Sequence, residues 1–132
     1  MSKKPVMLVA DDEPHVRNVL SLKLRNSGFK VLVAADGAEA LAICLEHRVD
    51  MLICDYQMPV INGMELCAKL KQNEATQELP VLMLSARGFS ILPEELDQTN
   101  IVMVLGKPFS PREILSYVQD FLSVKPLGEG GA

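Results

Sequence analysis

Five side chains whose types can do charge and phosphate chemistry follow short apolar runs in this sequence: Asp11 and Asp12 after residues 6–10, Asp55 after 51–54, Ser85 after 81–84, and Lys107 just beyond 101–105. Carboxylates brought together repel, and two about 4 Å apart cost roughly 4 kcal/mol at an effective dielectric near 20. A cation is therefore called for. Oxygen ligands with no histidine or thiolate beside them favour magnesium over zinc, and magnesium usually keeps several waters and shares itself with a phosphate. Lys107 adds a fixed positive charge and Ser85 a hydroxyl donor. Together these are parts for phosphoryl transfer: Asp55 as the nucleophile forming an aspartyl phosphate, a metal neutralising developing charge, and Lys107 and Ser85 holding the phosphoryl oxygens.

Taken singly, each residue has a plainer reading. Asp55 can bond amides of its own turn, Asp11 and Asp12 can be solvated charges at a helix start, Lys107 can be a surface lysine, and Ser85 alone says nothing. Their joint placement at strand ends carries the argument, so the elements that position them matter. Residues 51–54 are apolar without alternation, as in a strand buried on both faces of a parallel sheet, and Pro59 and Asn62-Gly63 then break the pattern. Ligands of open α/β sheets lie in the crevice beyond the carboxyl ends of the strands, which is where Asp55 falls.

Residues 6–10 form the first strand, and Pro14 opens a helix with Val16, Val19, Leu20 and Leu24 on its buried stripe, Arg17, Lys23 and Arg25 off it, and Gly28 as the stop. Residues 30–34 form the second strand. Asp36 caps the next helix with Glu39 three residues on, and Ala38, Leu41, Ala42 and Leu45 are expected to be its buried face. Asn62 and Glu65 cap a third helix with Leu66, Cys67 and Leu70 inward, and residues 72–78 read as a polar connection. Residues 81–84 are the fourth strand, with residues 85–88 as its exit turn. Pro93 allows at most a short helix over 94–98. Residues 101–105 are the fifth strand, and Ser110-Pro111-Arg112-Glu113 begins a helix with Ile114, Leu115, Val118, Phe121 and Leu122 inward. The alternation is a (βα)5 pattern, an α/β doubly wound domain with a parallel sheet. With strand order 2-1-3-4-5, the first and third strands are neighbours, and Asp11, Asp12 and Asp55 share the switch point.

At 132 residues the chain fits one domain, read as 1–124, with 125–132 a flexible tail or the start of a linker. No apolar run approaches the roughly 18 residues of a membrane span and no signal peptide is evident, so the expected location is cytoplasmic. Cys44, Cys54 and Cys67 lack metal-ligand spacing and read as free buried thiols. His15 and His47 show no ligand spacing either. A net charge of -4 gives no electrostatic case for nucleic-acid binding.

The set Asp11-Asp12, Asp55-Tyr-Gln-Met-Pro with Gly63, Ser85-Ala86 and Lys107-Pro108-Phe109 resembles the receiver domain of two-component response regulators, over about residues 5–123. The resemblance implies a flavodoxin-like fold and supports the 2-1-3-4-5 order; a member of this family is the handiest example of that order. It implies phosphotransfer from a histidine kinase or phosphotransfer protein to Asp55. Magnesium (or manganese) would be held by Asp12, Asp55 and the Gln57 backbone carbonyl, with Asp11 acting through water. It also implies a cis bond before Pro108, self-catalysed phosphorylation and dephosphorylation without turnover of an external substrate, and an output or homodimer face made of the fourth helical segment, fifth strand and fifth helix. The sequence departs from the family at Val104, where a switch aromatic is usual, and at Pro93, in a region that lacks the usual Gly-Ala. Val104 is small and stiff at χ1, so the response is expected to travel through residues 88–100.

Three alternatives use related parts. A flavin mononucleotide protein of the same fold would place its phosphate against Asp11-Asp12-Glu13, which repels it. A haloacid-dehalogenase-type phosphatase needs a second carboxylate where Gln57 stands. A receiver-like module that works without phosphorylation would not need the full set of site residues present here.

Overall fold

Short apolar runs ending in turn residues, each followed by an amphipathic stretch, form strands and helices in alternation. The computed structural model describes residues 4–86 and 93–124. The order is β1 (Val6–Ala10), α1 (Pro14–Asn26), β2 (Lys30–Ala34), α2 (Gly37–Glu46), β3 (Met51–Asp55), α3 (Gly63–Lys71), β4 (Val81–Ser85), α4 (Pro93–Asp97), β5 (Ile101–Gly106) and α5 (Pro111–Val124). The strands form one five-stranded sheet in the order β2-β1-β3-β4-β5, with every pairing parallel, as expected. The expectations for residues 87–92 and 125–132 lie outside the described residues.

Strand side chains alternate between two cores. Met7, Val9, Met51, Ile53, Leu82 and Leu84 face α1 and α5, where Leu20, Leu24, Ile114 and Val118 close the layer. Leu8, Leu52, Cys54, Val81 and Met83 face α2 and α3, where Cys44, Leu66, Cys67 and Leu70 do the same. Each such fully buried aliphatic side chain contributes about 1.5–3 kcal/mol. β3 and β4 are buried along their whole length. The three cysteines are free and buried, and burial pushes the Cys44 thiol up to about 12, which keeps it inert.

Two local expectations are corrected. The inward residues of α2 are Gly37, Ala40 and Cys44, while Ala38 and Ala42 are exposed and Leu45 is 46% exposed. The polar connection after α3 contains a buried residue, Thr76, whose hydroxyl donates to the Leu70 carbonyl at 2.7 Å. β5 is an outer strand that alternates half-buried and exposed residues, with Val102 and Val104 outward. α4 is the short helix that Pro93 allows.

The loop after β3 carries one backbone strain. Ile61 N–H donates to the Pro59 carbonyl at 2.9 Å, closing a γ-turn whose central residue, Val60, has φ 73. A β-branched residue rarely adopts that conformation. Gly37 makes room for the turn, since a Cβ there would lie 2.3 Å from the Ile61 carbonyl oxygen. Val60 itself is 75% exposed and packs little. Val60→Gly is therefore expected to raise the unfolding free energy by about 1 kcal/mol, relieving about 1–3 kcal/mol of strain against roughly 0.5–1 for glycine's freedom in the unfolded chain. The urea midpoint is the measurement, and an unchanged or lower midpoint would show that the turn stores no strain.

Candidate functional site

The carboxyl ends of β1, β3, β4 and β5 converge on one crevice. Asp11 extends β1 by donating its N–H to the Ala34 carbonyl at 3.1 Å, which turns its side chain into the protein, fully buried. Its Oδ1 accepts the Glu13 N–H at 2.9 Å, and its buried Oδ2 has no hydrogen-bond partner. Asp12 follows on the surface. Asp55 ends β3 opposite Leu84, 6% exposed, and is fixed by Tyr56 N–H to the Leu84 carbonyl (2.8 Å) and Gly63 N–H to the Tyr56 carbonyl (2.7 Å). Lys107 N–H donates to the Ser85 carbonyl at 2.8 Å, which continues the β4–β5 ladder and sends the lysine back across the strand ends. Lys107 Nζ lies 3.3 Å from Asp55 Oδ1 and 3.5 Å from Asp11 Oδ2. The Lys107-Pro108 bond is cis, as expected. Ser85 is buried, and its hydroxyl donates to the Ala86 carbonyl at 3.1 Å.

Asp11, Asp12 and Asp55 each offer an oxygen within 4.8 Å of the others. Burial pushes Asp11 upward, against the Glu13 N–H and the Lys107 charge that pull it down. Burial and then the Asp11 charge push Asp55 upward, with Lys107 opposing. Burial alone would lower Lys107, but the Asp11 and Asp55 carboxylates outweigh it and hold the ammonium above its usual range. The metal-free site thus holds more negative charge than one lysine neutralises. Hard oxygen donors, one of them a buried carboxylate oxygen with no hydrogen-bond partner, suit magnesium or manganese.

A carboxyl group whose folded pKa is raised costs stability above that pKa and regains it as pH falls through it. Asp11→Asn keeps the acceptor for the Glu13 N–H and removes the charge. The metal-free variant is expected to be more stable than wild type by about 0.5–2 kcal/mol at pH 7. The gap should narrow as pH falls through the raised Asp11 pKa. Denaturant midpoints across pH 4–8 in a chelator check this, and a less stable variant at pH 7 would refute it.

The structure brings Asp11, Asp12 and Asp55 together with the Lys107 ammonium, and Ser85 lies at the adjoining end of β4. Gln57 is exposed in the loop two residues after Asp55. One contributor escaped the sequence reading. Arg17 was assigned only to the polar side of α1, yet its Nη1 donates to the Asp11 carbonyl at 2.7 Å. Its signal was a cation in the first turn of the helix that follows the acidic pair. Gly63, already part of the motif set, packs against the Asp55 backbone.

The sequence profile described as "Response regulator receiver domain" matches residues 7–119. The chain belongs to this family. As a receiver domain it is 36% identical over 128 residues to the alkaline phosphatase synthesis transcriptional regulatory protein PhoP of Bacillus subtilis (strain 168), covering 92% of this chain and 49% of that protein. A crystal structure of a putative response regulator from Chloroflexus aurantiacus J-10-fl superposes with a TM-score of 0.82 at 36% identity, covering 92% of this chain and 99% of that one. The receiver domain of sensor histidine kinase PA1611 from Pseudomonas aeruginosa PAO1 superposes with a TM-score of 0.78 at 25% identity, covering 89% and 97%, and has a magnesium ion coordinated in its active site cleft. The receiver domain spans about half the length of the curated relatives it matches. Among the described residues no helix is long and apolar enough to cross a membrane.

Proposed function

We propose that this receiver domain, read as residues 1–124, takes a phosphoryl group on Asp55 from a phosphohistidine of a histidine kinase or phosphotransfer protein, in the cytoplasm. The observation that carries the reading is the Lys107 ammonium held between Asp55 and Asp11. An Asp55 carboxylate oxygen attacks phosphorus. The O–P bond forms as the N–P bond to the donor imidazole breaks, and the electron pair leaves on that nitrogen. Lys107 faces the oxygen charge, and the Ser85 hydroxyl turns from the Ala86 carbonyl to a phosphoryl oxygen. Asp11, Asp12, Asp55 and the Gln57 backbone carbonyl are the oxygens that would hold magnesium (or manganese), Asp11 through water. When bound, that ion neutralises charge on the phosphoryl oxygens. Attack by water on the same phosphorus breaks the Asp55 O–P bond, releases inorganic phosphate and restores the carboxylate, so the domain catalyses its own dephosphorylation.

Incubation with a small phosphodonor and magnesium, followed by intact mass, tests this. One phosphoryl group should appear, and chelation should slow its appearance at least about 10-fold. No mass gain on folded protein would favour a module that binds without phosphorylation.

The output face is α4, β5 and α5, acting on a downstream protein or a fused output domain, or pairing two copies. This domain itself binds no nucleic acid. Val104 is 37% exposed and has no ring to swing between two positions. Hydrogen exchange with and without a phosphoryl mimic should therefore change most within residues 88–100. A response confined to residues 112–122 would rule that route out.

A further inference from the structure

Asp12 carries an exposed carboxylate that, among the described residues, makes no hydrogen bond or ion pair. Only its backbone aims it. That backbone begins at the Asp11–Asp12 peptide, a rigid plane whose carbonyl oxygen accepts from Arg17 Nη1 at 2.7 Å. Arg17 is itself rooted, because its N–H donates to the Glu13 carbonyl at 3.1 Å in the first turn of α1. Helix side chains lean toward the N-terminus, so the guanidinium reaches back over the acidic loop. We propose that Arg17 is a positioning residue for metal binding: by holding the Asp11 carbonyl it fixes the Asp11–Asp12 peptide and so aims the Asp12 carboxylate. This rests on reading Asp11, Asp12 and Asp55 as the magnesium site.

Charge and position make opposite predictions. Arg17 is a cation near a site for a dication, so if its charge alone mattered, its removal would tighten magnesium binding. If it positions Asp12, its removal weakens binding. Supporting groups of this kind are typically worth 10-fold or more in metal affinity. Arg25 is an internal control, since its Nη2 donates from the same helix to a backbone carbonyl, that of Val31, at 3.2 Å, away from the carboxylates.

Magnesium is titrated by calorimetry into the metal-free full chain and into Arg17→Ala, Arg17→Lys, Arg25→Ala and Asp12→Ala, with the melting temperature of each read in chelator. Arg17→Ala is expected to bind magnesium about 10-fold more weakly. Arg17→Lys, which keeps the charge but not the planar fork, should fall between it and wild type, and Arg25→Ala should match wild type. Unchanged or tighter binding by Arg17→Ala overturns the inference, as does equal weakening by Arg25→Ala. Should Arg17→Ala fail to fold, Arg17→Lys decides, with wild-type affinity overturning the inference. If Asp12→Ala binds magnesium as wild type does, the reading of the metal site falls and this inference with it. If Asp12→Ala loses binding and the Arg17 variants do not, only this inference falls.

Discussion

A chain carrying Asp55→Asn should gain no phosphoryl group under conditions in which the wild type gains one. The amide has the shape of the carboxylate but a far poorer nucleophile, and the other two carboxylates are badly placed to replace it. Asp11 is fully buried, with one oxygen engaged by the Glu13 N–H. Asp12 is exposed and has no lysine within ion-pair distance among the described residues. Of the three, Asp55 alone combines a partly exposed carboxylate with Lys107 Nζ at 3.3 Å. Intact mass after donor treatment is the measurement, and the expected loss is complete at low donor excess. Asp12→Ala should instead retain a single acceptor and need more magnesium. A phosphoryl group on Asp55→Asn in the presence of a chelator would place the acceptor elsewhere.

The site was legible because each of its members follows an apolar run, and in a parallel sheet such runs end on one side. Asp55, Ser85 and Lys107 needed only that rule and a strand order. The order was the weaker link, since five similar runs do not say which is central, and it came partly from resemblance. The α2 face was misread because residues 37–46 are small or apolar nearly all round, so Ala38 and Ala42 read as inward in place of Ala40. Packing against Ile61 and the sheet chose the rotation. Thr76 was hidden for a different reason: its hydroxyl is satisfied by the Leu70 and Asn73 carbonyls at the end of α3, which a polar sequence does not reveal. Arg17 and Val60 act through backbone atoms, and hydrophobic periodicity carries no record of those.

Gly63→Ala is expected to cost about 3 kcal/mol and to lower the melting temperature by roughly 10 °C. A Cβ at Gly63 would lie 2.6 Å from the Asp55 carbonyl oxygen, 2.9 Å from Met83 Sδ and 3.0 Å from Tyr56 Cα. The thioether can swing aside, but the other two are backbone atoms, the last carbonyl of β3 and the Cα that follows it, so relief requires moving Asp55 itself. A displacement of about 1 Å at a reacting group can cost 100-fold in rate, so phosphorylation should slow by at least 10-fold even where the variant is folded. Gly28→Ala separates general backbone cost from this effect. Gly28 has φ +99 and nothing within 4 Å of the added methyl, so its variant should lose about 1 kcal/mol and keep its rate. Melting by circular dichroism and initial rates at low temperature read both. A Gly63→Ala protein that melts with wild type and phosphorylates at the same rate would refute the argument.

The carboxylates of Asp11 and Asp55 come from adjacent strands, β1 and β3, whereas the ammonium between them comes from the end of β5 at the sheet's outer edge. During synthesis the two acids therefore emerge well before their counter-charge. A nascent chain that pairs β1 with β3 closes two like charges into a shrinking solvent space with nothing fixed to offset them. Seating β5 against β4 is the event that delivers Lys107. On the proposed reading of Asp55 as acceptor, a growing or truncated chain that exposes Asp55 without residue 107 lacks the ammonium that faces it in the folded domain.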